Sequence, residues 1–316
     1  MPATMPTKKY IMIYHPDNHY LTGFVSQLQS ALPNHQVSKW SAGMAVDYLL
    51  AWQPNASVMQ TPNLSVLFSL GAGVDALLRQ AKDLDLSVPI VRLVDAGMGA
   101  QMFEMALYAT LVYSRDFQRL ANAQQQKRWL DILSLKRLPF TTPIGILGLG
   151  ALGGFVASKM AALGYSVSGY SRDKKVISGV TCYCGDALSE LLNRSEVLIN
   201  LLPLTPQTQG ILNKQLMAQL PRGAFLVNLA RGEHLVEDDL LWALDNGVLS
   251  GALLDVFQVE PLPVTHPFWT DERIIITPHI AALTQQDDAV AQIVNNIHAF
   301  EAGQPMTGVV DREAGY

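Results

Sequence analysis

Cysteine is almost absent from this chain: Cys182 and Cys184 are the only two among 316 residues. Two thiols with no histidine cluster beside them argue against a disulfide framework and against a metal site. If their segment is a strand, the spacing puts both on one face, which reads as reduced, structural thiols and a cytoplasmic location. Long apolar runs are missing too, none approaching the roughly 20 residues that span a bilayer. Nor is there an excess of positive charge. A net charge of −5 gives no electrostatic case for nucleic acid or an anionic membrane surface as a partner. The start of the chain lacks the charged-then-apolar order of a secretory signal. No repeat or low-complexity tract is visible. The length suffices for one large or two medium cores.

What is present is led by Gly148-Leu149-Gly150-Ala151-Leu152-Gly153. Residues 143–147 before it read as a short buried strand, and 155–163 after it as a helix with apolar spacing. Strand, glycine turn and helix in that order make a phosphate cradle. Gly148 allows the tight turn, Gly150 the approach of a pyrophosphate, and Gly153 the packing of helix on strand. A glycine-rich turn without a ligand has the same sequence, and only context separates the two. The next strand, 165–170, ends where a dinucleotide-binding fold commonly places an acid for the ribose hydroxyls. Here Ser171 and Arg172 stand there, with Lys174 and Lys175 just beyond. A hydroxyl plus a guanidinium suits a 2′-phosphate, so NADP(H) is the preferred cofactor and NAD(H) a possible one. Asp173 works against that reading, and a solvated basic turn would look similar.

Apolar strand-like runs alternate with helical patterns along the chain, which indicates an α/β fold with parallel sheets. Strands are expected at 10–14, 64–70 and 90–94. A long helical pattern from Gly99 toward Leu120 then leads to strands near Ile144, Val167, Val197, Phe225, Gly251 and Ile274. A helical stretch, 285–301, crosses back to the first half. The expectation is two Rossmann-like or flavodoxin-like domains with parallel sheets and an interdomain cleft. Residues 1–95 with 284–316 form the flavodoxin-like substrate domain, and 96–283 form the dinucleotide-binding Rossmann domain. The active site is expected in the cleft, at the carboxyl ends of the strands.

Three later motifs sit at strand ends: Asn228-Leu229-Ala230-Arg231-Gly232, Leu254-Asp255-Val256-Phe257 with Glu260-Pro261, and Thr277-Pro278-His279. An arginine, a carboxylate and a histidine match the needs of 2-keto acid reduction. Taken singly, each also reads as a satisfied structural residue.

With these motifs the chain resembles the D-isomer-specific 2-hydroxyacid dehydrogenase family over nearly its whole length. The segment holding Pro203, Pro206 and Thr208 belongs to the same match. Leu70 to Asp75, Asp95 to Gly99, Tyr170-Ser171-Arg172 and Val310 to Tyr316 are closest to a subgroup that reduces glyoxylate and hydroxypyruvate. Two departures stand out: Ser171 in place of the usual acid, and Ala281-Ala282 where glycine often follows the histidine. The resemblance implies His279 as proton donor, Glu260 as its partner and Arg231 as clamp for the substrate carboxylate. Gly71, Gly73 and Val74 would offer it backbone N–H groups, and Trp40 would help shape the pocket, with Met98 beside it. Cofactor contacts are implied at Gly148, Gly150, Ala151, Leu152, Gly153, Ser171, Arg172, Leu202, Pro203, Thr208 and Ala230. Asp255 would accept from the nicotinamide carboxamide. A homodimer formed mainly through the dinucleotide-binding domain is also implied, with the helical stretch near 101–120 as its candidate surface, although such a helix could equally face its own core. The alternatives are a dinucleotide-sensing regulatory protein on the same fold, or a reductase of a bulkier 2-keto acid. The short tail beyond the crossover helix is expected to leave no room for an added effector domain.

Overall fold

The computed structural model describes residues 8–84, 86–131 and 140–316. It divides into two compact units, Met1–Gly97 with Thr284–Tyr316, and Met98–Leu283. In the first unit five parallel strands form one sheet: β1 (Tyr10–Tyr14), β2 (Gln36–Lys39), β3 (Tyr48–Ala51), β4 (Val66–Ser69) and β5 (Ile90–Val91). Their order is β2-β1-β3-β4-β5, so the strand order reverses between β1 and β3, as in flavodoxin-like sheets. The second unit adds β6 (Ile144–Leu147), β7 (Val167–Tyr170), β8 (Val180–Tyr183), β9 (Val197–Asn200), β10 (Ala224–Asn228), β11 (Leu249–Leu254) and β12 (Ile274–Ile276). Its order, β12-β11-β10-β9-β6-β7-β8, is the doubly wound Rossmann arrangement with its reversal between β6 and β9. The expected α/β class with parallel sheets is therefore borne out.

Burial on both faces explains why the second unit's central strands are apolar at almost every position. Ile144, Ile146, Val197, Ile199, Phe225, Val227 and Leu253 enter one core. The alternate residues Leu147, Leu198, Leu226, Ala252 and Leu254 enter the other. Each of these Val, Ile, Leu and Phe side chains contributes about 1.5–3 kcal/mol relative to exposure.

Several elements differ from the sequence reading. Strands β2 and β3 were not anticipated: β2 mixes polar with apolar residues, and β3 is a short buried apolar run that was passed over. The strand expected at 90–94 is shorter: Arg92 N–H bonds to Gly308 O and Leu93 N–H to Gly71 O. Asp95, Ala96 and Gly97 then take positive φ, which no strand continues. The long helix is two helices, Met98–Ser114 and Phe117–Gln125. Between them Asp116 has φ 54°, a left-handed conformation that Asp tolerates better than most residues. The helix expected at 155–163 begins earlier, at Ala151. Cys182 lies in β8 and Cys184 just past its end, both as free, partly buried thiols. Among the described residues no helix is long and apolar enough to cross a membrane.

The last helix, Gln286–Glu301, packs in the first unit against the helix Asn18–Ala31. Its terminal carboxylate accepts from His35 Nε2 at 2.9 Å, Lys9 Nζ at 3.1 Å and Tyr48 Oη at 3.1 Å. Burial pushes the Glu301 carboxyl up, but the hydrogen bonds from His35 and Lys9 outweigh it and hold the group below its usual range. A carboxyl depressed on folding stabilises above its unfolded pKa of about 4.3, and that stability is lost as pH falls through the folded value. Glu301→Gln is therefore expected to lower the melting temperature at neutral pH. The gap to the parent should narrow under acid; a gap constant from neutral pH to pH 3 would refute this coupling.

Candidate active site

Register brings the ends of the second unit's strands to one edge. Leu147 pairs with Tyr170 and Asn200, Asn200 with Asn228, Asn228 with Leu254, and Leu254 with Ile276. The residue after each of these positions enters a loop at the carboxyl edge, where ligands bind in open α/β sheets.

After β6 the chain turns sharply, and Gly148 has φ 95°. A Cβ on Gly153 would stand 1.8 Å from the carbonyl oxygen of Gly148, so helix and turn can meet only at glycine. Gly150 caps the helix Ala151–Ala162 without a side-chain hydrogen bond, and a Cβ there would meet nothing within 4 Å. Backbone N–H groups at the start of that helix thus face open space with the positive end of its dipole, a ready seat for a pyrophosphate. These residues fit a dinucleotide. The region after β7 fits less simply. Ser171 is buried, and its hydroxyl donates to Asp173 O at 2.7 Å. Arg172 is exposed, with Nε 3.5 Å from Asp173 Oδ2, and Lys174 and Lys175 are exposed beside it. The serine hydroxyl is committed to its own turn, and the cationic character of the site rests on Arg172 and its neighbours.

The catalytic candidates Glu260 and His279 meet. His279 Nδ1 lies 2.7 Å from Glu260 Oε2, and both side chains are partly exposed. Glu260 Oε1 accepts the Phe257 N–H at 2.9 Å, so the carboxylate is held from two sides. A carboxylate only accepts, so Nδ1 carries a proton toward it and Nε2 points elsewhere. His279 itself has φ 55°, and Asp255 holds the turn that carries it. The Asp255 carboxylate is 1% exposed and accepts from Thr277 Oγ1 at 2.6 Å, Ile280 N at 2.9 Å and Ala281 N at 2.9 Å. The sequence reading gave Asp255 to the cofactor alone; the structure shows it spanning the histidine turn.

Arg231 follows β10 and is partly buried, with Nη1 donating to Ala230 O at 2.6 Å. Ala230 N–H is taken by Asn228 Oδ1 and Leu202 N–H by Asn200 Oδ1, each at 3.3 Å. The Thr208 hydroxyl donates to Pro203 O at 2.7 Å and accepts from Thr205 N at 2.8 Å; it closes its own loop.

In the first unit, Gly71 N–H faces Ser69 Oγ at 3.3 Å. Gly73 and Val74 precede the helix Asp75–Asp83, and their N–H groups take no partner among the described residues. Trp40 donates its indole N–H to Thr61 Oγ1 at 3.1 Å and meets Tyr14 edge-on. Its polar atom is therefore committed to packing. The aromatic that touches the glycine loop is Trp52, which the sequence reading passed over. A Cβ on Gly71 would lie 2.3 Å from its ring. Asn200 and His234, buried beneath the Arg231 turn, were also missed. The signal available was that β9 and β10, otherwise apolar, both end in asparagine.

A doubly wound sheet with a glycine cradle, and a carboxylate-held histidine at the same edge, define the class: an NAD(P)-dependent oxidoreductase. Residues 105–281 match the family described as D-isomer specific 2-hydroxyacid dehydrogenase, NAD binding domain. A glyoxylate/hydroxypyruvate reductase A of Serratia proteamaculans is 47% identical, covering 97% of this chain and 99% of the relative. Its counterpart in Salmonella newport is 44% identical with the same coverage. The crystal structure of a D-isomer specific 2-hydroxyacid dehydrogenase from Xanthobacter autotrophicus, in complex with NADPH and MES, superposes with a TM-score of 0.91. It is 38% identical and covers 98% of this chain and 100% of that one. The NADPH-dependent glyoxylate/hydroxypyruvate reductase of Sinorhizobium meliloti, solved with NADP and sulfate, has a TM-score of 0.89 at 34% identity, with the same coverage. The chain belongs to the D-isomer specific 2-hydroxyacid dehydrogenase family.

Proposed function

We propose that this protein reduces short 2-keto acids, glyoxylate and hydroxypyruvate foremost, to 2-hydroxy acids, with NADP(H) as its preferred cofactor. The observation that carries the reading is the Glu260–His279 pair, whose geometry leaves Nε2 to act on a substrate. Relatives of the same length named for this activity support the substrate class. Relatives solved with NADPH or NADP support the cofactor. When bound, the reduced nicotinamide supplies the hydride to the keto carbon.

The remaining work falls to this chain's residues. His279 Nε2 gives its proton to the carbonyl oxygen as charge develops there. Glu260 fixes the ring's orientation and keeps a proton on Nδ1, so that Nε2 faces the substrate. Arg231 pairs with the substrate carboxylate through its planar fork. The open Gly150 turn and the helix behind it seat the pyrophosphate, and Arg172 meets a 2′-phosphate. Asp255 Oδ2 accepts one protein hydrogen bond, leaving acceptor capacity for a nicotinamide amide. Loss of absorbance at the reduced-nicotinamide band, with glyoxylate, hydroxypyruvate, pyruvate and phenylpyruvate in turn, tests the reading. Turnover is expected with the two short acids first; none with any 2-keto acid would refute it.

Arg231→Lys keeps the charge but cannot reproduce a two-pronged contact. Losing one charge-assisted hydrogen bond corresponds to about a tenfold rise in keto-acid KM. A KM within twofold of the parent would remove the arginine from the carboxylate. We also propose a homodimer, formed through the helix Met98–Ser114, where Tyr108 and Leu111 are exposed, followed by Phe117. Light scattering is expected to give twice the mass of one chain, and a fully active monomer would refute it.

A further inference from the structure

The structure points to His234 as a positioning residue that ties the cofactor loop to the substrate arginine, an inference that rests on the function proposed above. Asn200, Asn228 and His234 are all 0% exposed, and each buried polar atom among them has a defined direction. Asn228 Nδ2 donates to Arg231 O at 2.9 Å, while its Oδ1 accepts from Ala230 N. Two backbone groups therefore fix that amide's orientation. Asn200 Oδ1 accepts from Leu202 N, so its Nδ2 is the donor. That nitrogen reaches Asn228 Oδ1 at 3.0 Å and His234 Nδ1 at 3.0 Å. His234 Nδ1 must then accept, which places the ring proton on Nε2, 3.3 Å from Pro203 O.

The hydrogen bonds thus link the Pro203 loop through His234 and Asn200 to the Arg231 turn. His234 also shares that turn, since its N–H bonds to Arg231 O. Each ring nitrogen of His234 therefore holds one loop: Nε2 the Pro203 loop, and Nδ1, through Asn200 and Asn228, the Arg231 turn. One end carries Leu202 and Pro203, assigned to the cofactor; the other carries Arg231, assigned to the keto acid. His234 touches neither ligand and acts through both loops.

Two substitutions separate its two ring nitrogens. His234→Asn keeps an acceptor where Nδ1 stands and removes the donor to Pro203. His234→Gln keeps a donor where Nε2 stands and removes the acceptor facing Asn200. With His234→Asn, the NADPH dissociation constant, read by fluorescence titration, is expected to rise about tenfold while keto-acid KM at saturating NADPH stays within about twofold of the parent. With His234→Gln the pattern should reverse. Lowered melting temperatures with both binding constants unchanged, or moved equally in both variants, would overturn the proposal. Should neither variant fold, the imidazole Nε2–H resonance of His234 in the parent reports on the same coupling. It is expected to shift when NADPH is added and again when a non-reacting keto-acid analogue follows; no shift in either step overturns the proposal. Parent protein that binds no NADPH in the titration would instead refute the underlying function.

Discussion

His279→Ala is expected to lower kcat by about 10²–10⁴-fold, the usual contribution of general acid catalysis, while leaving NADPH affinity near that of the parent. The split follows from where the ring acts. Nδ1 is held by Glu260 at 2.7 Å, and Nε2 is assigned to the oxygen on which charge develops. The interaction exists mainly in the transition state, so its loss falls on turnover rather than on binding. Glu260→Gln should give a smaller loss in the same direction, since an amide can still accept from Nδ1–H but no longer offers two equivalent acceptors to His279 and the Phe257 N–H. Single-turnover kinetics with saturating NADPH reads the chemical step directly. A His279→Ala rate within twofold of the parent would take the histidine out of the mechanism.

The second large effect concerns the choice between NADPH and NADH. Ser171→Asp with Arg172→Gln is expected to move the ratio of kcat/KM for the two cofactors by at least about tenfold toward NADH. A charge-assisted contact to a phosphate is worth about 1.5–3 kcal/mol, and a carboxylate in the same turn adds repulsion. Because the Ser171 hydroxyl is spent on Asp173 O, Arg172→Gln alone should carry most of the loss of NADPH preference. Raising the salt concentration should shrink the difference if Lys174 and Lys175 add to the field. An unchanged ratio in the double variant would mean that Arg172 only faces solvent.

The parts legible in the sequence were those written in local patterns. The strand, glycine turn and helix around Gly148 are contiguous, and the central strands of the second unit, such as β6, β9 and β10, are buried on both faces. A run such as Val197–Asn200 therefore stands out without knowledge of its neighbours. Strand β2 did not stand out, because Gln36–Lys39 mixes polar with apolar side chains; β3, the short apolar run Tyr48–Ala51, was legible but was passed over. The helix break at Asp116 depends on a single left-handed residue that apolar spacing does not report. The buried polar chain was invisible for a different reason. Asn200 and Asn228 are 28 residues apart and meet because β9 and β10 pair in register, a fact of topology. Asp255 illustrates the same limit: its sequence context suggests a strand end, whereas its three hydrogen bonds to Thr277, Ile280 and Ala281 depend on the fold of a later turn.

The central claim is that a hydride reaches C2 of a short 2-keto acid while this chain supplies the proton to oxygen. NADPH carrying deuterium at C4 of the nicotinamide, prepared separately with the label on each face and incubated with hydroxypyruvate, tests it most directly. One of the two labelled cofactors is expected to give glycerate of D configuration with deuterium at C2, and the other to give unlabelled product. Glycerate without deuterium from either cofactor, or no glycerate at all, would contradict the account.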